Sequence, residues 1–238
     1  MVNTVAKAVV GIVSARRVRA VARVLAGPAV IAASLAGWAS APGPAASPRW
    51  EVSPLHRGPH NTIVRVVTER RLVALTFDDG PSARYTPAIL RRLRAAGARA
   101  TFFMVGESAL REPGIVRAAV RAGHEIGNHT LDHARLPDLS SVAIASKLRA
   151  GARALERAGA PPPRYALPPW GHFDDRVGEL AARVRPGSII LAHDGRGTRD
   201  RTVAALPTLI ARLRERGFEL VTVSKLMRAA ERGSGPDT

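Results

Sequence analysis

Residues 72–81 read Leu-Val-Ala-Leu-Thr-Phe-Asp-Asp-Gly-Pro. A β-forming run, apolar at nearly every position, stops at two adjacent carboxylates and a Gly-Pro turn. A run without polar alternation suits a strand covered on both faces, as the strands of a parallel sheet are. Asp78 and Asp79 then stand at the carboxyl end of that strand, where β/α folds gather their functional groups. Side by side they repel each other, and a bound cation or a shared proton relieves the repulsion. A turn or a helix cap is the commoner use of Asp-Gly, so the rest of the chain has to decide between the two.

From residue 72 onward, strand-like and helix-like stretches alternate. Thr86-Pro87 opens a helix with Ile89, Leu90 and Leu93 on one side, and Gly97 stops it. Residues 98–105 form a second strand, 113–122 a helix stopped by Gly123, and 124–128 a short third strand. Residues 140–158 make a longer helix. The prolines of 165–170 require extended chain, and 176–184 is helical again. Residues 188–192 are another buried strand, followed by a helix over 202–216, a last strand over 218–223 and a last helix over 224–230. This alternation implies βα units around a parallel sheet or barrel. Asp78-Asp79, His129 and His193 each follow a strand, so a parallel fold brings them to one face.

His129-Thr130-Leu131-Asp132-His133 sets two imidazoles four residues apart. On a helical turn that spacing puts both on one side. Two imidazole nitrogens and one carboxylate make a good shell for zinc or a similar divalent ion, with positions left for water and substrate. A histidine pair at this spacing is otherwise an ordinary surface or core feature; the carboxylates at another strand end tip the balance toward ligands. One of Asp78 and Asp79 can hold the metal while the other takes a proton from metal-bound water. His193, followed by Asp194-Gly195, can act as general acid to the leaving group, although the same residues also suit a plain turn. Neither a Gly-rich phosphate loop nor a nucleophile elbow is present. The expected chemistry is metal-assisted hydrolysis of an acyl bond.

With 238 residues, the chain has room for one substantial domain plus appendages. It has no cysteine, which removes disulfides, thiolate zinc sites and cysteine nucleophiles. Arg supplies 33 of the 36 basic residues, and the formal net charge is +17. That charge is spread along the chain with few aromatics between, which suits a solvated surface attractive to anionic polymers rather than a nucleic-acid interface. Residues 1–41 run from basic to apolar to small, the layout of an export signal; uncleaved, the apolar run would serve as an N-terminal membrane anchor. The expected protein is exported, extracellular or held at the cell envelope, and meets a membrane only through this segment. Residues 42–71 read as a Pro/Gly-rich linker with an edge strand toward its end, 72–230 as the folded domain, and 231–238 as a flexible tail.

Thr76-Phe77-Asp78-Asp79-Gly80-Pro81, His129-Thr130-Leu131-Asp132-His133, Pro168-Pro169-Trp170-Gly171 and Leu191-Ala192-His193-Asp194 occur in the order found in polysaccharide deacetylases. Residues 70–228 resemble that family, the NodB-homology enzymes of carbohydrate esterase family 4. The resemblance implies an α/β fold, a distorted (β/α) barrel with fewer than eight strands. It implies removal of N-acetyl or O-acetyl groups from an acetylated polysaccharide, with N-acetylglucosamine units of a cell-wall glycan as the leading substrate. Carried over motif by motif, it implies Asp78 as general base and His193 as general acid. Asp79, His129 and His133 would hold one divalent metal ion, zinc first and cobalt or another divalent ion as alternatives. The backbone N–H near Trp170, with Pro169 beside it, would support the oxyanion, and Leu191 would line the acetyl pocket.

Two positions depart from the family pattern. An arginine that pairs with the base aspartate usually precedes the Pro-Pro-aromatic-Gly motif; here Leu167 stands there, and Arg164 is three residues early. The family also carries a further strand, with an Asp and a Trp, before the final histidine. Only residues 171–187 separate the motifs here, too few for a strand–helix unit with its partner strand. Asp174 and Asp175 lie too near the preceding motif to replace it. One β/α unit is therefore expected to be missing. Two rival readings follow: a metal- and glycan-binding pseudoenzyme with the same site, and a hydrolase of a non-carbohydrate amide.

Overall fold

The computed structural model describes residues 13–14, 55–57, 63–169 and 184–233. Trp170, most of the helix expected over 176–184, residues 234–238 of the tail expected over 231–238 and nearly all of the segment 1–41 lie outside the described residues; the first three residues of that tail, 231–233, belong instead to the last helix. Among the described residues no helix is long and apolar enough to cross a membrane.

The order of elements is β1 (Val13–Ser14), β2 (Leu55–Arg57), β3 (Ile63–Val66), β4 (Leu72–Asp78), α1 (Thr86–Ala95), β5 (Thr101–Met104), α2 (Gly106–Arg111), α3 (Pro113–Arg121), β6 (Glu125–Asn128), a 3-10 turn (Leu136–Asp138), α4 (Ser141–Arg157), β7 (Tyr165–Ala166), β8 (Ile189–His193), α5 (Asp200–Glu215), β9 (Glu219–Val221) and α6 (Val223–Gly233). The main sheet runs β1-β7-β6-β5-β4-β8, with β9 also paired to β4. All of its pairings are parallel except that of β1 with β7. β2 and β3 form a separate antiparallel pair, so the edge strand expected before residue 72 has a partner inside the linker.

β4 is buried at every position. Its alternation explains why. Val73, Leu75 and Phe77 pack in the layer with Ile89 and Leu93 of α1 and Leu206, Leu209 and Leu213 of α5. Leu72 and Ala74 pack on the other face with Phe103, Leu191, Val221 and Leu226. A strand with apolar cover on both faces needs the continuous apolar run seen in the sequence. Because side chains alternate along a strand, Asp78 follows Ala74 and Thr76 into the inner face, at the strand's carboxyl end.

The structure places β7 and β8 at opposite ends of the main run of strands, apart from the added β1, and among the described residues no pairing joins them. The barrel is thus a distorted one, and among the described residues no strand–helix unit stands between β7 and β8. β1 lies antiparallel on the edge of β7, Val13 opposite Ala166. That is the edge on which a further parallel strand would otherwise pair. On the other side, β8 is flanked by the chain around β3: the Val66 N–H donates to Gly187 O at 3.0 Å.

Candidate active site

Asp78 ends β4 directly opposite His193, which ends β8 in the same register. Asp79 follows with φ 72°. This left-handed conformation is uncommon for a residue with a side chain, though Asp is among those that tolerate it. It turns the two neighbouring carboxylates in different directions. The next strand but one, β6, leads into His129, whose N–H donates to Met104 O.

The loop from His129 to His133 is not the helical turn that the spacing suggests. Thr130 and His133 both have positive φ, 68° and 62°. Side chains build the bend instead. Asn128 Oδ1 accepts the Thr130 N–H, Thr130 Oγ1 accepts the His133 N–H, and Asn128 Nδ2 donates to Leu148 O in α4. The first N–H groups of α2 donate to Thr130 O and Leu131 O, which serves the unpaired donors of that helix start. α4 comes close enough only because of Gly151: a Cβ there would sit 2.5 Å from Asn128 Oδ1. Small polar side chains thus do what helical geometry was expected to do, and both imidazoles still reach Asp79.

Asp79 Oδ1 lies 2.9 Å from His133 Nε2 and 3.4 Å from His129 Nε2. One ligand atom from each of the three residues lies within 4.8 Å of the others, and all three residues are buried. His129 Nδ1 is 2.7 Å from Leu167 O. A carbonyl only accepts, so Nδ1 carries the hydrogen and Nε2 of the neutral ring presents a lone pair to Asp79. Burial favours that neutral form by lowering the His129 pKa. Nε2 is buried and makes no hydrogen bond among the described residues. A lone pair facing a carboxylate oxygen in a buried site is the arrangement a cation resolves, and this donor set fits a zinc-like ion.

Asp78 Oδ2 is 3.4 Å from His193 Nε2 and 4.0 Å from His129 Nε2. Burial, then the charges of Asp79 and Asp194, push the Asp78 carboxyl well above the usual range, against a lowering by Arg199. Burial pushes Asp79 up as well, but the facing His129 and His133 side chains outweigh it and hold Asp79 below the usual range. Two adjacent carboxylates therefore differ: one inclined to hold a proton, the other firmly ionised. Leu191 is buried in the inner core beside this end of the sheet, and Pro169 is buried next to Pro168. Trp170 lies outside the described residues.

Two further residues belong to the site, although the sequence motifs assign them no role. Asp194 is fully buried; its Oδ2 accepts the Thr86 hydroxyl at 2.5 Å. Burial raises its pKa to about 7, against the Thr86 hydrogen bond. The other is Arg199, whose guanidinium donates to Asp79 Oδ2 at 3.2 Å.

A family model described as polysaccharide deacetylase matches residues 65–185. A Bacillus cereus protein named peptidoglycan-N-acetylglucosamine deacetylase is 32% identical over 195 residues, spanning 68% of this chain and 91% of that one. A crystal structure of a peptidoglycan N-acetylglucosamine deacetylase, in complex with 4-naphthalen-1-yl-N-oxidanyl-benzamide, superposes with a TM-score of 0.63. It is 28% identical and covers 68% of this chain and 90% of the other. The structure of a carbohydrate esterase family 4 pseudoenzyme from Bacillus anthracis is also similar, with a TM-score of 0.63, 25% identity, and coverage of 70% and 69%.

Proposed function

Because the chain belongs to the polysaccharide deacetylase family, we propose that it is an exported, metal-dependent enzyme that removes N-acetyl groups from N-acetylglucosamine units of a cell-wall glycan. The observation that carries the reading is the buried cluster of Asp79, His129 and His133, with Asp78 and His193 paired beside it. The substrate class follows from the relative named for peptidoglycan N-acetylglucosamine. Export follows from the basic, apolar, small order of residues 1–41.

Asp79, His129 and His133 would hold the divalent ion, zinc by the donor set. When bound, such an ion acidifies water and stabilises charge on a carbonyl oxygen. Asp78 accepts the proton lost as water adds to the acetamide carbon. To do so it must be ionised, and Arg199 favours that form against burial. His193, half-buried at the end of β8, delivers a proton to the amide nitrogen as its bond to the acetyl carbon breaks. The products are acetate and a free amine on the sugar. Leu191 offers an apolar wall for the acetyl methyl group, and the backbone by Pro169 and Trp170 would support the oxyanion.

The first test is acetate release by the full chain, zinc-loaded, from N-acetylglucosamine oligomers and from peptidoglycan, with Asp78→Asn run beside it. The expected result is release by the wild type and a loss of at least about a hundredfold in Asp78→Asn, the scale of a lost general base. Zinc-bound, folded wild type that releases nothing from either substrate overturns the reading.

A second reading, a glycan-binding pseudoenzyme, is favoured by one observation. Leu167 replaces the arginine that pairs with the base in the family pattern, and its side chain is buried among Phe103, Leu191 and Val223. The same assay decides between the two readings.

A further inference from the structure

Leu167 makes its hydrogen bonds to the site through its backbone. Its N–H donates to Asn128 O and its carbonyl accepts from His129. Among the described residues no guanidinium reaches the carboxylates from that side. One does arrive from the opposite side, on the loop between β8 and α5. Arg199 Nε donates to Gly195 O at 2.7 Å, and Nη2 donates to Arg196 O at 2.8 Å and to Asp79 Oδ2 at 3.2 Å. Its side chain is one-quarter exposed.

We propose that Arg199 is a positioning residue for the metal-binding carboxylate, supplying from the β8–α5 loop the guanidinium that position 167 lacks. The inference rests on the metal-site reading above and concerns how that site is held. Asp79 uses its two oxygens differently. Oδ1 faces both imidazoles, while Oδ2 faces Arg199. The guanidinium therefore fixes the rotation of the carboxylate about its last bond, leaving Oδ1 as the ligand atom. A planar fork with several donors suits this task, because the two carbonyls fix its plane while one nitrogen meets the carboxylate. Outer partners of this kind orient ligands and commonly govern metal affinity by 10–100-fold. The substitution also differs in kind from the family pattern. The guanidinium acts on the ligand Asp79 and reaches the base Asp78 only through space.

The rival explanation is that Arg199 merely staples its loop. The same loop has a second staple, which separates the two ideas. Arg84 and Tyr85 Oη both reach Asp200, the first residue of α5, at 3.3 to 3.5 Å. That contact joins the loops after β4 and β8 without touching the ligands.

The experiment measures the zinc dissociation constant of the full chain by competition with a chromophoric chelator. It compares wild type, Arg199→Ala, Arg199→Lys and Arg84→Ala, with thermal melts of the metal-free proteins beside it. The expected result is a dissociation constant raised about 10–100-fold in Arg199→Ala, a smaller rise in Arg199→Lys, and no change in Arg84→Ala. Arg199→Ala or, if that variant does not fold, Arg199→Lys, binding zinc within twofold of wild type overturns the proposal. So does an equal weakening in Arg84→Ala, which would assign the effect to loop stapling. Wild type that fails to bind zinc overturns it as well. Wild type that binds zinc and shows the expected order of variants, yet releases no acetate, sustains this inference while removing the proposed activity.

Discussion

At Gly195 the loop after β8 runs against the loop after β4 so closely that a Cβ would sit 2.0 Å from Asp79 O and 2.7 Å from Gly80 N. Both neighbours are backbone, so neither can swing aside. A Cβ on Gly80 would meet the Asp194 carboxylate at 2.4 Å in turn. These contacts hold Asp79 in its left-handed conformation and so set where Oδ1 points. Gly195→Ala is therefore expected to cost about 2–3 kcal/mol of stability, the scale of overpacking a filled site, and to weaken zinc binding at least tenfold. Urea unfolding and chelator competition check the two effects. A variant as stable as wild type, with unchanged zinc affinity, would show that the two loops can separate. The residues that cluster at the strand ends could be picked out because they sit in contiguous motifs that follow strands. Arg199 could not. Its partner is 120 positions away in sequence, and an arginine is unremarked in a chain where Arg supplies nearly all the positive charge.

Among the elements, the strands were more legible than the connections. β4, β5 and β8 appear where apolar runs predicted them, and α1 and α4 begin where Thr86-Pro87 and Ser140 predicted. Ser140 caps α4 by accepting the Ala143 N–H. The bend from His129 to His133 defeated the spacing argument, because period alone cannot tell a helical turn from a loop held by Asn128 and Thr130 side chains. His124 lies at the opposite end of the barrel, and the sequence marks it only as the first residue of a strand. It precedes β6 and is 6% exposed. Its Nδ1 accepts the Ala100 N–H at 3.2 Å, bracing the start of β5, and its ring meets Phe102 edge-on. Burial, then the charge of Arg99, lowers its pKa to about 4 from 6.5. The unfolded chain thus binds a proton that the folded chain refuses between those values. Stability from this group is complete above pH 6.5 and is lost as pH falls toward 4, at about 1.4 kcal/mol per pH unit and on the order of 3 kcal/mol in all. His124→Asn keeps an acceptor for Ala100 and removes the titration. Its unfolding free energy, measured in urea from pH 7 to pH 4, should fall less steeply than that of wild type. Parallel pH curves would show that His124 accepts its proton without cost.

At the scale of the molecule, the described strands form a distorted, unclosed barrel. The sheet runs from β7 to β8 without closing on itself among the described residues, so part of the mutual bracing of a closed barrel is absent. What ties the carboxyl ends together is the site. Asp79 follows β4, His129 and His133 follow β6, and β5 lies between them. Thr86–Asp194, Arg84–Asp200 and Arg199–Asp79 bind the loops after β4 and β8 to each other. A cation held by the three ligands would join the first group of strands, and the clamp on Asp79 would extend that hold to β8. Metal binding should then stabilise the fold as well as serve chemistry, because an ion that binds the folded chain alone adds stability by mass action. At a free zinc concentration a hundred times the dissociation constant, the gain is about 2.7 kcal/mol. For a domain of this size that is a rise of roughly 5–10 °C in Tm. His129→Ala and His133→Ala together should abolish the zinc-dependent rise while leaving the metal-free Tm above that of a fold with an unpaired buried ligand set. Scanning calorimetry with and without zinc, on both proteins, reads this directly. A wild-type Tm that zinc does not move at saturating occupancy would mean that the unfolded chain binds the ion as tightly as the folded one, so that the ion contributes nothing net to holding the strands together.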